Sequence, residues 1–595
     1  MTNNWLIEEI VKAIKSLGLD LSEGEIKLDH PTDLVFGDFS TSVAMSLAKK
    51  SGKNPKDLAG EIKDKILAQS DSKIKDIQIA GPGFINFYLS DEFFSSSLQE
   101  ILAEPETFGQ NKDLAGQKVM VEYTDANPFK EFHIGHLMSN TVGETLSLLF
   151  TANGAEVKRA CYQGDVGMHV AKALWGMFKL EPELPGSEAS SNEKIKFLGK
   201  AYALGATEYE DGTSNAKEGI VIINKKVYKR SDPKLNELYD LGRRWSLEHF
   251  EILYKRLGTK FDFNFFESET WALGQKIVEE GLVKGIFEKS DGAVIFPGEK
   301  YDPHLHTRVF INSEGVTTYE AKDLGLARLK SEKYPFDISL SITGNEQSGY
   351  FKVLLKAIDL ALPDLAGRVK HLAHGFLRLP SGKMSSRTGD VITAESLLDD
   401  VKVKVLEKIK DRDFGDEEKN EIAEKVAVGA IKYSILKQGI GKDIIFDFDK
   451  SLSFEGDSGP YLQYAYTRAL SVLKKAEKSD GTNLEVKSSN EADAIAKLDF
   501  DESEIQLQQL PASVKALASL LYRLPEVTES AYQELAPQHI ATYLIDVAGA
   551  FNSFYAQNQI IGSEHEASFL ALVRATSIVL KNGLSLLAIP TLEKM

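Results

Sequence analysis

Two histidines three residues apart, in the run His133-Ile134-Gly135-His136, are the residues best suited by type and spacing to do chemistry. The run follows a strand-like apolar segment, KVMVEYT, and opens a helical pattern, LMSNTVGETLSLLFTANG. Residues three apart share a helix face, so both imidazoles can address one ligand. A helix N-terminus attracts anions through its free N–H groups and its dipole. Histidines placed there can hydrogen-bond triphosphate oxygens and stabilise charge that develops during nucleotidyl transfer. Gly135 has no side chain, so a flat adenine can approach the backbone. His-x-Gly-His also arises by chance, and the strand–loop–helix setting is what gives it weight.

A second cluster follows after about 250 residues: Ser381-Gly382-Lys383-Met384-Ser385-Ser386-Arg387-Thr388-Gly389. Glycines on both sides make a loop that can move, and Lys383 and Arg387 put two positive charges on it. A loop that closes over departing pyrophosphate needs this chemistry. Alone, such a segment reads as an ordinary solvated loop. Paired with the histidines it reads as the other half of a nucleotide site.

These residues need elements to hold them. KVMVEYT, the helix after the histidines and the run AEVKRACYQ give the β-loop-α-β order that opens a parallel, doubly wound nucleotide-binding sheet. The predicted architecture is a multidomain α/β chain with a Rossmann-like catalytic domain over residues 111–390. An insertion occupies about 172–290 of it. Strand-like runs at TRVFIN, TTYEAKD and ISLSITG mark the return of the sheet. Residues 1–110 form an α+β domain, in which KIKDIQI and FINFYL are two strands joined at Gly81-Pro82-Gly83. Helical periodicity dominates afterwards, as a linking region over 391–450 and an all-α bundle over 451–595. The last apolar stretch, LVRATSIVLKNGLSLLAI, reads as two helices broken at Asn582-Gly583.

The 595 residues carry 70 basic and 88 acidic side chains, a net charge of −18. That balance argues mildly against generic nucleic-acid binding and leaves room for local basic patches. Cys161 is the only cysteine, which excludes an internal disulfide and a thiolate-rich zinc site and fits a reducing cytoplasm. The first residues read as an amphipathic helix rather than a targeting peptide, and no apolar stretch reaches the length a membrane span needs. A monomer without membrane association, metal site or zinc is expected.

The two signatures in this order resemble the HIGH and KMSKS motifs of class I aminoacyl-tRNA synthetases, and the flanking sequence resembles the arginyl family in particular. VEYTDANPFKEFHIGHL is similar to that family's segment around HIGH, and TTYEAKDLG to its Tyr-x-x-x-Asp segment. GDSGPYLQYAYTRA resembles its helical anticodon-binding domain. FGDFSTSVAMSLAK and AGPGFINFYL resemble its extra N-terminal domain. The likeness covers nearly the whole chain and is weaker over about 175–260 and 475–505.

The resemblance implies ATP as substrate, with Mg²⁺, and arginine and tRNA(Arg) as partners. It assigns catalysis to His133, His136, Lys130, Lys383 and Arg387. The general loop motif has a second lysine where Ser386 stands, and arginyl enzymes lacking it often carry one just before HIGH, as Lys130 does here. Asp323, Tyr319 and Glu267 match the residues that take the guanidinium, whose planar donors suit carboxylates and a flat ring. Asn127 and Gln347 match those that hold the α-ammonium and carboxylate, with Glu122 assisting by charge or by fixing the loop. ATP falls to His133, Gly135, His136, His374, Gly375, Phe376, Lys383, Met384 and Ser385. For tRNA, Phe84 and Asn86 match a D-loop-reading pair, and Tyr461, Tyr464, Phe551 and Tyr555 are candidate stacking platforms near the anticodon. The alternatives are a class I synthetase for another amino acid and a nucleotidyltransferase sharing the His-x-Gly-His site.

Overall fold

In the first hundred residues the apolar period alternates between helix and strand, and the backbone follows it. The computed structural model describes residues 4–69, 72–211, 215–379, 393–479 and 511–595. The elements are α1 (Asn4–Ser16), β1 (Phe39–Thr41), α2 (Val43–Ser51), α3 (Pro55–Leu67), β2 (Ile74–Ala80), β3 (Phe84–Leu89) and α4 (Asp91–Ala103). β2 and β3 pair antiparallel, with β1 on the other side of β3. Gly81 and Gly83, at φ 53° and 134°, make the turn between them. Ile77, Ile85, Phe87 and Leu89 alternate onto the buried face.

Residues 112–452 form one compact unit. Its centre is a parallel sheet of β4 (Lys118–Glu122), β5 (Glu156–Gln163), β6 (Phe263–Phe266), β10 (Ile338–Gly344) and β11 (Val369–His374). Their order is β11-β10-β4-β5-β6. The first crossover is α5 (Ile134–Ala152). The second is long: α6 (Met168–Lys179), α7 (Ser191–Asp211), α8 (Ala216–Lys229) and α9 (Pro233–Leu257). After β6 come α10 (Glu267–Val283), an antiparallel sheet of β7 (Glu288–Ser290), β8 (Ala293–Phe296) and β9 (Arg308–Ile311) enclosing the single turn α11 (Gly298–Tyr301), then α12 (Tyr319–Lys333). α13 (Ser348–Ala361) joins β10 to β11, and α14 (Ala394–Ile409), α15 (Asp416–Leu436) and the short α16 (Phe448–Ser451) complete the unit.

Three sequence readings change here. TRVFIN forms β9 in the small antiparallel sheet, not in the central one. TTYEAKD is the start of α12: its β-branched threonines are strand-like, but Thr318 is an extended N-cap and the helix begins at Tyr319. The range 172–290 is interrupted by β6, an edge strand of the central sheet, and by α10.

The helices α17 (Gly459–Ser479), α18 (Ala512–Leu521), α19 (Leu524–Gln533), α20 (Gln538–Gln557) and α21 (Glu566–Leu586) belong to one compact unit with residues 1–111. Tyr522 is buried against Phe93 at 5.1 Å, with Phe39, Phe94 and His30 around it. His30 Nε2 lies 3.0 Å from Glu526 Oε2. α21 runs unbroken through Asn582-Gly583, against the sequence reading. The missing side chain at Gly583 lets Leu544 pack close, and Asn582 Nδ2 donates to the carbonyls of Pro105 and Phe108, both at 2.9 Å. By length and composition this helix could cross a membrane, which also departs from the sequence reading, yet 72% of its apolar window is buried within the domain. It is a core helix.

α10 and α12 approach closely enough to involve backbone. A Cβ at Gly274 would stand 1.8 Å from Ala321 O, and one at Gly325 would stand 2.2 Å from Thr270 O. Backbone cannot swing aside as a side chain can. Gly274→Ala should therefore destabilise by about 1–3 kcal/mol despite the better helix propensity of alanine. The measurement is the thermal midpoint, which should fall; an unchanged or raised midpoint would contradict the packing described.

Candidate active site

The residues singled out in the α/β unit gather at the carboxyl ends of the parallel strands, where ligands bind in such sheets. Glu122 ends β4, Glu267 directly follows β6, Gln347 closes the turn after β10, and His374 ends β11. The loop from β4 to α5 is unusual. Thr124, Asp125 and Phe129 take φ of 76°, 49° and 66°, each costing about 1–2 kcal/mol for a residue with a Cβ. Neighbours hold them in place. Thr124 N donates to Ser139 Oγ at 3.0 Å, and Asn140 Nδ2 donates to Thr124 Oγ1 at 3.0 Å. Tyr162 N donates to Asp125 Oδ1 at 2.8 Å, and Phe129 N donates to Ser246 Oγ at 2.9 Å.

That loop delivers the histidines. His133 is the N-cap of α5, and its Nδ1 accepts from Gly135 N at 3.1 Å. His136 Nδ1 accepts from His133 N at 3.2 Å, and the rings stack with centroids 3.7 Å apart. A backbone N–H can only donate, so each Nδ1 is an acceptor and each proton resides on Nε2. Burial pushes the pKa of His136 well below the ordinary value, helped by the charges of His133 and Lys130. Burial also lowers His133, with Lys130 adding to it and Glu346 opposing. The site is thus a pair of neutral Nε2–H donors at a helix N-terminus. Lys130 is half-buried, its ammonium 5.8 Å from the centre of the Tyr202 ring. Burial lowers its pKa, Glu267 raises it and Lys172 lowers it.

The pocket residues occupy the ends of α10 and α12. Glu267 is the first residue of α10, buried, with Oε2 2.6 Å from Lys322 Nζ. Glu122 is likewise buried and 3.0 Å from Lys330 Nζ. Among the described residues no cation pairs with Asp323, which accepts a 2.5 Å hydrogen bond from Tyr350 Oη. Burial raises its pKa to about 8, against the Tyr350 hydroxyl and with the negative charges of Glu122 and Glu267. Tyr319 lies exposed at the start of α12. Asn127 Oδ1 accepts from Gly164 N at 2.8 Å, and Gln347 is exposed. His374 is buried, with Nδ1 2.7 Å from Gly375 O, and Phe376 is exposed beside it. A Cβ at Gly375 would stand 2.2 Å from Lys442 O, so only glycine fits that turn. Lys383, Met384, Ser385, Ser386 and Arg387 lie outside the described residues.

In the other unit, Phe84 is exposed at the β2–β3 turn, whereas Asn86 is buried with Oδ1 accepting from Ser40 Oγ at 2.7 Å. Tyr461 and Tyr464 are half-buried and Tyr555 is exposed. Arg468 lies over the rings of Tyr464 and Tyr555 and bonds Asn552, which in turn donates to Tyr461. Phe551 is wholly buried, which corrects its reading as a stacking platform: it faces the core of α20.

A parallel sheet with paired imidazole donors ahead of its first crossover helix, beside an acidic pocket, has the form of a class I nucleotide-activating domain. The comparisons agree. The family described as tRNA synthetases class I (R), catalytic domain, matches residues 97–448. The DALR anticodon binding domain matches 462–595, and the arginyl tRNA synthetase N-terminal domain matches 4–89. An arginine–tRNA ligase of Clostridium kluyveri is 32% identical over 99% of both chains, and one of Thermococcus kodakarensis is 30% identical over 96% of both. The solved Thermus thermophilus arginyl-tRNA synthetase is 25% identical, with a TM-score of 0.78 over all of both chains. That of Plasmodium falciparum, 19% identical, shares the fold at a TM-score of 0.75 over 100% of this chain and 99% of that one. The chain belongs to the arginyl-tRNA synthetase family.

Sequence reasoning missed the residues that hold the site: Lys322, Lys330, Tyr350 and Asp165. Asp165 is buried and accepts from Tyr239, Arg243 and Ser268, tying α9 to the start of α10 beside Glu267. The chemical state of the histidines is measurable. Both pKa values are lowered, so at pH 6.5, where an ordinary histidine is half protonated, both rings should be more than half neutral. Nitrogen NMR of the ligand-free enzyme should show the neutral rings of His133 and His136 as Nε2–H tautomers; Nδ1–H tautomers, or midpoints above that of an ordinary histidine, would contradict the geometry.

Proposed function

We propose that the site activates arginine with ATP and passes it to tRNA(Arg), with the residues in the following roles. The neutral donors His133 and His136 face the nucleotide phosphates. The arginine carboxylate attacks the α-phosphorus of MgATP, and the bond to pyrophosphate breaks. The terminal ribose hydroxyl of the tRNA then attacks the arginyl carbonyl, and AMP leaves. Nε2–H groups fixed through Nδ1 need no reorganisation as charge shifts toward the leaving oxygens. Gly135 and the His374-Gly375-Phe376 turn receive adenine, and Lys383, Met384, Ser385 and Arg387 are assigned to the ATP phosphates by the family resemblance. Asn127 and Gln347 orient the α-ammonium and carboxylate of arginine.

The observation that carries the choice of arginine is Asp323, a carboxyl group with no cation partner among the described residues, one helix turn from Tyr319 and held by Tyr350. A guanidinium never loses its charge and supplies the missing cation. Asn at 323 should cost on the order of 3–5 kcal/mol in kcat/KM for arginine, as for a buried cation left unpaired. Charging assays with each amino acid in turn test the substrate directly; equal use of lysine or citrulline would overturn the assignment.

The same residue predicts a pH dependence. With its pKa raised to about 8 by burial, Asp323 is mostly protonated at neutral pH and must lose its proton to pair with arginine. The arginine KM should fall as pH rises toward about 8, by up to about tenfold per unit, and level off above it. A KM that is flat between pH 6.5 and 8.5, or that rises, would contradict this.

Lys130 bears on both histidines, which supports its standing in for the lysine absent at Ser386. Lys130→Ala should abolish most of kcat, and Ser386→Lys added to it should restore a measurable part, a coupling the single changes do not predict. Near-normal activity of Lys130→Ala would make the residue a bystander.

For the RNA, the reading gives residues 1–110 the D-loop, through Phe84 and, after local rearrangement, Asn86. It gives residues 451–595 the anticodon, through Tyr461, Tyr464 and Tyr555. All these elements lie on one chain, so a monomer suffices. Cys161, buried and free with its thiol pushed up to about 12, fits a reducing cytoplasm.

A further inference from the structure

Lys322 sits between Tyr319 and Asp323 on the first turns of α12, and its ammonium does not face solvent. Nζ lies 2.6 Å from Glu267 Oε2, 5.0 Å from the centre of the Tyr319 ring and 5.5 Å from that of Tyr228 on α8. Tyr228 also helps Lys322 keep its proton, after Glu267. The other oxygen of Glu267, Oε1, looks toward Gly164: a Cβ placed there would stand 3.0 Å from Oε1 and 2.4 Å from Asn127 Oδ1. Glycine keeps that space open. Glu267 therefore has one oxygen committed to an internal cation and one turned to the space beside Asn127.

We propose that Lys322 is a specificity-determining, positioning residue: by occupying Glu267 Oε2 with a cation of its own, it leaves the pocket a single Glu267 oxygen. A planar guanidinium can use that oxygen together with Asp323, and a point-charge ammonium cannot. The inference rests on the arginine reading of the pocket. Arginine presents five donors in a fixed fork and can reach two separated acceptors at once. An ammonium gains most from a whole unpaired carboxylate; Lys322 removes that option at Glu267 and leaves it Asp323 alone, whereas the fork can use both. Tyr228 and Tyr319 hold the lysine there, so it does not withdraw when another cation arrives. The internal lysine acts as a stand-in that excludes free lysine while leaving the fork its two acceptors.

The test measures lysine as a competitive inhibitor of arginine charging by the full-length enzyme with tRNA(Arg), as the ratio of lysine Ki to arginine KM. Lys322→Met opens Glu267 to an incoming ammonium, and the ratio should fall at least about tenfold, a large share of what a charged pocket can discriminate. Arginine KM should rise more than kcat falls. Lys322→Arg keeps a cation and should hold the ratio within about threefold. Tyr228→Phe, which leaves no buried charge and tests the idea even if Lys322→Met does not fold, should move the ratio the same way by less. A ratio unchanged in Lys322→Met, whatever happens to overall activity, overturns the proposal, as does an unchanged ratio in Tyr228→Phe should Lys322→Met not fold. Failure of the pocket reading is distinguishable. In that case Asp323→Asn would leave arginine KM untouched, whereas a raised KM there with unaltered selectivity at Lys322 rejects only the role of the lysine.

Discussion

Much of the catalytic geometry depends on a backbone constraint, the left-handed conformations of Thr124, Asp125 and Phe129 in the loop that leads from β4 to the histidines. Residues with a Cβ enter that region only when their surroundings fix them. Here the fixing groups come from several elements: Ser139 and Asn140 on α5, Tyr162 on β5 and Ser246 on α9. Ser139 also donates to Ile342 O on β10, and Thr259 Oγ1 donates to Asn140 Oδ1. The polar face of α5 is thus buried for a reason. It sets a short loop whose contour puts Asn127, Lys130 and His133 on the same side of the sheet. A relaxed loop of the same length would have no cause to bring them there.

Electrostatics then divide the site into two kinds of environment. Around the histidines burial favours the neutral imidazoles, with the half-buried ammonium of Lys130 close by. Around α10 and α12 two buried carboxylates, Glu267 and Glu122, carry their own lysines. Removing a partner from a buried ion pair is far more damaging than the net worth of the pair, so Lys322 and Lys330 are best understood as fixing Glu267 and Glu122 in one orientation. Among the described residues Asp323 has no such partner and is held by the Tyr350 hydroxyl. A pocket with every acid neutralised would have no preference for a cation. One with none neutralised would take any cation, or protonate.

How much of this was legible in the sequence depends on the range of the interaction. The histidine pair could be read because its geometry is local: three residues, one helix turn and a preceding strand. The sheet was legible for the same reason, through β4, α5 and β5. The lysines were not. Glu267 and Lys322 are 55 positions apart, and Glu122 and Lys330 are 208 apart. Nothing around Lys322 says that a lysine on a helix lies inside rather than in water. The misread segments have local causes. The β-branched residues of TTYEAKD mimic a strand until a cap at Thr318 starts a helix, and Asn582-Gly583 looks like a break until Leu544 packs against the glycine. Phe551 and Tyr555, one turn apart on α20, differ only in which face of the helix meets the core.

The two ends of the chain illustrate a different dependence. Residues 1–111 and 453–595 are far apart in sequence yet make one compact unit, joined through buried side chains. Tyr522 enters an aromatic cluster built from Phe39, Phe93 and Phe94, and Ser519 Oγ reaches Asp38 Oδ1 at 3.3 Å. Asp38 also accepts from Leu89 N, at the end of the strand that begins with Phe84. The surface proposed to meet the tRNA D-loop is therefore braced by α18, in the same unit as the helices that carry Tyr461, Tyr464 and Tyr555. Two weak contacts held on one rigid body act as linked sites, because the second forms without a further loss of translational freedom. That linkage suits an acidic protein. With a net charge of −18 it cannot rely on a broad positive field to gather RNA,. A few stacking and hydrogen-bonding contacts, presented together, can supply the affinity that bulk charge does not.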